Sequence, residues 1–504
     1  MCDGYGVWGG GGNFYGHRQS VGSALVCCPS TYIAAFGESP EEREYFDWFK
    51  CRTSKKIPGA FVLKFWDTLL FQASWNEPAV LQAVLTLSAV HKTDTASSGE
   101  LEPIPDAQEQ FMLQHYSKAI RHLQPLFTSK GKASIRTALI TCVVFVSLEL
   151  LRGRFRTAQT HLEAGLKVLR ESEILRGSPT TGFFIDQAGD PVDLWIMEIF
   201  SRLHAQFELF RRTYRHPCLF LHSPRLDPPR TVFHTFKEAW QPLEQLLGRI
   251  LWITEQRHQQ QVSSGRYGVY SDVLSVEQQD IQDKLTQWLT IYQACREDLS
   301  KQYYAALVCL LLESYHTMAT IMAGTCLWIE DESIYDSFTD DFMLLLRQSA
   351  DMWLIGSPHT RAQSGSAFDM SRSMVDLGWI PLLYYIAVKC RIHRVRLQAI
   401  RFLESASHRE GIWDSRIAAR VAQRVMVIEE RGFYEGLDIV DDFPLDAMPK
   451  SQDLRLPTLP SSYRIDELLV ELSDEPEDSV VLHYRQKQTG EEWRMSRVSI
   501  SSRD

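Results

Sequence analysis

The sequence predicts an all-α protein: a large body of packed antiparallel helices followed by a small C-terminal β-hairpin. Three observations lead there. Apolar residues recur three and four apart over most of the 504 residues. Glycine and proline fall mainly at the joints between periodic segments. Alternation of period two appears only near the C-terminus. The same signals divide the chain. Residues 1–39 are glycine-rich and then aperiodic, a flexible lead. Residues 40–435 form one cooperative helical body, and residues 436–504 form a tail with an acidic segment and the hairpin.

The first helix begins at "SPEEREYFDWFKCRT", where Ser39 can cap, Pro40 suits the first turn, and two glutamates complement the helix dipole. Tyr45, Phe46, Trp48 and Phe49 supply its core face. "FVLKFWDTLLFQAS" follows as a second helix and "NEPAVLQAVLTLSAVHK" as a third. There Val80, Val84 and Leu87 form a stripe flanked by Leu81, Leu85 and Ala89, so the helix is buried between neighbours. Residues 106–127, 133–152 and 155–171 continue the pattern, with "RGRF" a tight joint between the last two. "PVDLWIMEIFSRLHAQFELF", "FKEAWQPLEQLLGRILWITEQ" and "EQQDIQDKLTQWLTIYQACRE" read as three more helices. "KQYYAALVCLLLESYHTMATIMAG" is apolar enough to be central. At the end, "SVVLHYRQKQTGEEWRMSRVSI" alternates Val480, Leu482 and Tyr484, turns at "TG", and presents Trp493 and Met495.

Composition narrows the function classes. A net charge of -10 opposes a broad nucleic-acid footprint on this chain. Ten cysteines in no framework spacing imply reduced thiols in a soluble intracellular protein. Vicinal Cys27 and Cys28 could be redox-active, but two scattered thiols fit better. The apolar run "ALITCVVFVSLELL" is too short for a membrane span and carries Glu149, which makes it a buried helix.

Motifs for catalysis are mostly absent: no phosphate-binding glycine loop, dinucleotide fingerprint, nucleophile elbow or paired-histidine zinc helix. His91, His115, His122, His204 and His316 lie singly in helical segments, as structural histidines do. A helical enzyme such as a terpene cyclase needs aspartates converging on magnesium and a diphosphate. "DDFPLD" offers Asp441, Asp442 and Asp446, but Pro444 interrupts the helix that would align them. "DSFTDDF" places Asp336 and Asp340 one turn apart, where a starting helix favours acids anyway. "DELLVELSDEPEDS" fits either an activation segment or a short helix with a solvated acidic turn, the second being simpler. Basic residues gather once, in "KCRIHRVRLQAIR". Arg391, Arg394, Arg396 and Arg401 suit a nucleic-acid surface or an exposed helix face pairing with a Glu-Glu elsewhere. The lack of aromatic stacking platforms favours the exposed face.

Taken together, "SWNEPAVLQAVLTLSAVHK", "HYSKAIRHLQPLF" and "RTALITCVVFVSLELLRGRFRTAQTHLEAGLKVL" resemble the fungal-specific transcription-factor domain of filamentous ascomycetes. The later stretch "LGWIPLLYYIAVKCRIHRVRLQAIRFLESASHREGIWDSRIAARVAQRVMVIEE" is similar to the family's C-terminal signature. That signature falls here on Lys389, Cys390 and Arg391, then Arg409, Glu410, Gly411, Ile412, Trp413 and Asp414. The likeness runs over roughly residues 41–500.

The resemblance implies a nuclear transcriptional regulator, specific to a pathway or gene cluster such as one of secondary metabolism. Its partners would be a second copy of itself or other transcription regulators, and no membrane. The family usually carries an N-terminal binuclear zinc cluster held by six cysteines, with DNA read by a helix in the major groove. "CDGYG" resembles the end of that cluster and places Cys2 as the sixth ligand. One thiolate cannot hold a structural zinc, which takes four ligands. The expectation is therefore no cofactor in the chain as given, with zinc and DNA bound only through further cysteines upstream. The alternatives are a DNA-independent regulatory or ligand-sensing protein on the same scaffold and, third, a helical enzyme.

Overall fold

Helices carry most of the chain in the computed structural model. It describes residues 39–96, 106–127, 131–172, 183–184, 190–211, 221–222, 231–264, 272–301, 305–329, 331–356, 373–405, 408–474, 480–487 and 493–500. Among these residues are fourteen α-helices of seven residues or more. They are α1 Pro40–Trp48, α2 Leu70–Asn76, α3 Pro78–Ala96, α4 Asp106–Leu123, α5 Lys132–Leu151, α6 Phe155–Glu171 and α7 Pro191–Arg211. Then come α8 Phe236–Ser264, α9 Asp272–Ser300, α10 Ala305–Thr325, α11 Thr339–Gly356, α12 Ile380–Lys389, α13 His393–Glu404 and α14 Ser415–Glu430. The all-α expectation holds. The flexible lead, Cys2, Cys27 and Cys28 lie outside the described residues.

Packing divides the protein into two compact units. The first takes the described residues up to Leu203 with 373–376 and Arg409–Ile412; the second takes the remainder.

In the first unit, Ser39 caps α1 as its sequence suggests, its Oγ accepting from the Glu42 N–H at 3.1 Å. α3 sits against α1, α2, α4 and α5. Its Val80, Val84, Leu85, Leu87 and Ala89 are fully buried, each large side chain stabilising the core by about 1.5–3 kcal/mol. α5 is buried on most sides. Thr141 and Ser147 satisfy their hydroxyls on the carbonyls of Thr137 and Val143, both at 2.8 Å. α6 is more one-sided, burying Phe155, Ala158, Leu162, Leu166 and Leu169 at helical spacing.

The segment "FVLKFWDTLLFQAS" departs from a plain helix. Phe61 to Leu63 are not helical, and a π-helical turn over Phe65–Leu69 leads into α2. Tertiary contacts take the backbone that a longer helix would use. Arg202 donates to the Phe61 carbonyl and to the Asp376 carboxylate, both at 2.6 Å. The Val375 N–H donates to Ile57 O at 2.9 Å. A short parallel pair, β3 Ser373–Met374 with β4 Arg409–Glu410, closes this region. The two earlier strands, β1 Phe183–Phe184 and β2 Leu221–His222, are two residues each.

In the second unit α8 to α11 pack in succession, as do α12 to α14. α10 is central, as its composition implies: the Tyr315 hydroxyl donates to Gly378 O at 2.9 Å, and its ring meets Trp240 edge-on at 5.1 Å. α5 and α10 are each long and apolar enough to cross a bilayer, longer than the apolar run in α5 suggests. They are core helices, because 72% and 78% of their apolar windows are buried inside the protein.

Two strand expectations are settled at the C-terminus, where β5 Trp413–Asp414 leads into α14. β7 Val480–Lys487 pairs antiparallel with β8 Trp493–Ile500, with Leu482 opposite Val498. The turn at Thr489 and Gly490 lies outside the described residues. Where a short helix is expected at the start of "DELLVELSDEPEDS", the chain forms β6 Ile465–Glu471, antiparallel to β7 with Val470 opposite Leu482. Its Ile465 and Val470, with Leu472 just beyond it, are buried, which a strand edge on the hairpin permits and a lone acidic helix would not.

Candidate functional site

The sequence-predicted site residues fare unequally. Cys2 is not among the described residues, and among those described no three His, Cys, Asp or Glu side chains gather as metal ligands. The described part of the chain therefore offers no zinc cluster to which a step could be assigned. The histidines are structural where their contacts are defined. His91 bonds Thr53 Oγ1 at 2.9 Å, and burial, then Lys56, lowers its pKa well below the usual range. His115 Nδ1 bonds Gln82 Oε1 at 2.6 Å, with its pKa lowered to about 4, mainly by burial. His316 bonds Leu285 O at 3.0 Å and stacks on Trp288. His204 is buried and His122 exposed.

The basic cluster needs correcting. Arg391, Arg394 and Arg396 are not an exposed face and not a nucleic-acid surface, since all three are buried. Arg391 and Arg396 do pair with a Glu-Glu, the one that ends α14. Arg391 reaches Glu429 at 2.8 Å and Glu332 at 2.9 Å, while Lys389 reaches Glu332 at 2.6 Å. Arg396 meets Glu429 at 2.7 Å and Glu430 at 3.7 Å, and its Nε donates to Ala387 O at 2.9 Å. Arg464 adds a fourth cation, held on Asp336 at 2.6 Å and on the Glu332 carbonyl. Four cations face Glu332, Glu429, Glu430 and Asp336, so the charge balances within the cluster. Burial raises the Glu429 carboxyl, but Arg391 and Arg396 outweigh it and hold it below the usual range. With every carboxylate engaged, the cluster locks α12, α13, α14 and β6 together and leaves none poised for acid–base work.

The rest of α13 explains its remaining cations. Arg394, Gln398 and Arg401 donate to the carbonyls of Ala447, Leu445 and Phe443 at 2.7, 2.7 and 3.2 Å. The Phe443 ring lies under both guanidiniums. The helix thus straps down "DDFPLD" by alternate carbonyls. Of the aspartates that the sequence offers as metal ligands, Asp336 is taken by Arg464 and Asp441 by His393 at 2.8 Å; Asp340, Asp442 and Asp446 are exposed. They do not converge.

Sequence reasoning missed Glu332, Glu429 and Arg464. A signal existed for Glu429: it stands four residues after Val425 and one after Ile428, on the buried side of α14. A cavity of about 40 Å³ touches this cluster at Arg391 and Glu429 and is walled by Phe210, Met318, Tyr384 and Trp413, room for a water or two.

The larger opening is in the first unit, a cavity of about 160 Å³ between α3, α4, α5 and the α5–α6 joint. Val90, Met112 and Leu148 supply apolar lining, with Leu113, 54% exposed, beside them. Its polar lining is Thr86, Tyr116, Glu149, Arg152, Arg154 and Thr157. The tight joint at "RGRF" places both arginines, since Gly153 adopts φ +73 and the Arg154 N–H returns to Glu149 O at 2.9 Å. Arg152 approaches Glu149 at 3.7 Å, and burial lowers its pKa. The Tyr116 hydroxyl contacts His161 Nε2 at 3.2 Å, and burial, then Glu149, pushes its pKa up to about 12.

Comparison with known proteins points one way. Residues 51–211, within which this cavity is built, match the fungal specific transcription factor domain. The chain is similar to the aspercryptin biosynthesis cluster-specific transcription regulator of Emericella nidulans, 24% identical over 471 residues, 73% of this chain and 70% of that protein. It is also similar to the transcription regulator lscL of Purpureocillium lilacinum, 27% identical over 115 residues, 22% of this chain and 27% of that one. No solved structure matches it.

Proposed function

We infer that this chain, which carries the fungal specific transcription factor domain, is a transcriptional regulator that acts on the genes of one biosynthetic cluster. The observation that carries this is that the matched residues 51–211 take in α2 to α6 and α7 up to Leu203, most of the helices of the first unit. The name of the longer-matched relative supports the cluster-specific part. The protein works in the nucleus and by binding rather than turnover, which accords with a buried ionic cluster whose carboxylates are all neutralised. It pairs with a second copy of itself or with other regulators.

DNA recognition through zinc is part of the same proposal. Cys2 would be the sixth ligand of a binuclear cluster that is incomplete in the chain as given, and zinc would be held only if further cysteines upstream supply the other five. The test is a reporter assay with the chain fused to an unrelated DNA-binding module, together with transcript profiling after disruption of its gene. Expected are a change at the reporter and loss or gain of transcripts from adjacent biosynthetic genes. Unchanged transcripts with an unchanged reporter would overturn the proposal.

A further inference from the structure

We propose that the 160 Å³ cavity of the first unit binds a small apolar monocarboxylate, its hydrocarbon body against Val90, Met112 and Leu148 and its carboxylate between Arg152 and Arg154.

Size sets the body. An apolar cavity of about 150 Å³ takes a molecule as large as benzene, and this one is of that size. Charge sets the head group. Two guanidiniums and one carboxylate line the cavity, leaving one positive charge for a monoanion to neutralise. Glu149 is occupied by Arg152, but at 3.7 Å the contact is a loose ion pair rather than a bidentate one. Exposed Glu109, outside the cavity lining, also acts on Arg152. Among the described residues no hydrogen bond from the Arg154 side chain competes for it. A guanidinium presents planar paired donors that fit a carboxylate. The joint adds a field of the same sign: α6 starts at Phe155, its first turn has no side-chain cap, and its dipole points its positive end at the same place. An uncharged ligand of the same shape would forgo these terms, and a dianion would overshoot the single spare charge.

Such a site gives a regulator an input. A ligand seated among α3, α4 and the α5–α6 joint stabilises the arrangement of those elements, and with it whatever surface they present.

The experiment uses the full chain with phenylacetate, benzoate and, as the uncharged counterpart, benzyl alcohol, each titrated to about 10 mM while thermal unfolding and heats of binding are followed. Phenylacetate or benzoate should raise the melting temperature with concentration, and benzyl alcohol should bind at least about tenfold more weakly. Arg154→Gln, at an exposed position that leaves the Arg152–Glu149 pair intact, should remove that preference. Met112→Phe, which fills the cavity, should abolish binding of all three. Equal binding of acid and alcohol, or full acid binding by Arg154→Gln, would overturn the carboxylate assignment. No binding of either acid would make the cavity a packing void and sink the proposal. These readouts use the purified chain alone, so they stand or fall apart from the reporter result.

Discussion

Arg396 and Glu429 meet at 2.7 Å with both side chains fully buried. The guanidinium comes from a helix whose residues look, on paper, like a solvated basic stripe; the carboxylate comes from the last turn of α14. Glu429 also accepts the Ile465 N–H at 2.8 Å, so it fixes the start of β6 as well. Removing one member of a buried pair leaves the other charged and unpaired, which costs about 3–5 kcal/mol. Glu429→Gln should therefore lower the stability of the second unit to urea by that amount, followed by circular dichroism. Adding Arg396→Met should destabilise by less than its own single effect, because the two lesions share one contact. The pair also fixes an acid limit. The Glu429 carboxyl is held below its usual range, so its contribution is full above the unfolded value of about 4.3. It is lost as pH falls through the lower folded value. Glu429→Gln should flatten that acid arm.

His393 behaves in the opposite sense. It lies between Glu430 and Asp441, both at 2.8 Å, with the Tyr434 ring edge beside it. Burial lowers its pKa, but the hydrogen bonds and charges of Glu430 and Asp441 raise it further, and the net shift is upward. A raised folded value means the stabilisation is full below the unfolded value of about 6.5 and is lost as pH rises through the folded one. The strap over residues 436–450 should become more open to protease as pH rises above about 6.5. His393→Gln should erase the dependence. A flat profile in the unsubstituted chain would show that neither carboxylate contact holds the strap.

Gly165 in α6 sits where a side chain cannot. A Cβ there would lie 2.5 Å from the Phe200 ring and 2.8 Å from Cys142 Sγ. Alanine gains about 1 kcal/mol of helix propensity, but overpacking costs about 1–3 kcal/mol. Phe200 is fully buried with little room to swing, so the second effect wins. Gly165→Ala should lower the melting temperature, and a rise would mean that α6 and α7 pack less closely than described.

Thiol chemistry reads the same packing from another side. Cys51 is exposed, whereas burial pushes Cys326 up to about 12 and Cys390 up to about 11. The thiolate is the reacting species. Iodoacetamide on the native protein, followed by peptide mass mapping, should label Cys51 early and the other two only after unfolding. Labelling of Cys390 at the rate of Cys51 would contradict the buried end of α12.

Whatever depends on local period was readable in the residues themselves. Val80, Val84 and Leu87 mark the buried stripe of α3, Ser39 and Pro40 mark the start of α1, and Val480 to Tyr484 mark a strand of the final hairpin. Each signal lies within one element, and helix and strand spacings differ enough to separate them. The order of long motifs likewise points to the fungal specific transcription factor domain that residues 51–211 match. Only the tertiary structure decided what the charges do. "KCRIHRVRLQAIR" has the pattern of an exposed face, yet Glu332, Glu429, Glu430 and Asp336, distant in sequence, neutralise the cluster it builds and let it be buried. "IDELLVE" became a strand because β7 offered a pairing edge, and the Phe61 carbonyl left the helix because Arg202 claimed it. The cavity beside Arg152 and Arg154 depends equally on α3, α4 and a glycine turn meeting in space. Burial of a charge is set by partners far along the chain, and no local period encodes them.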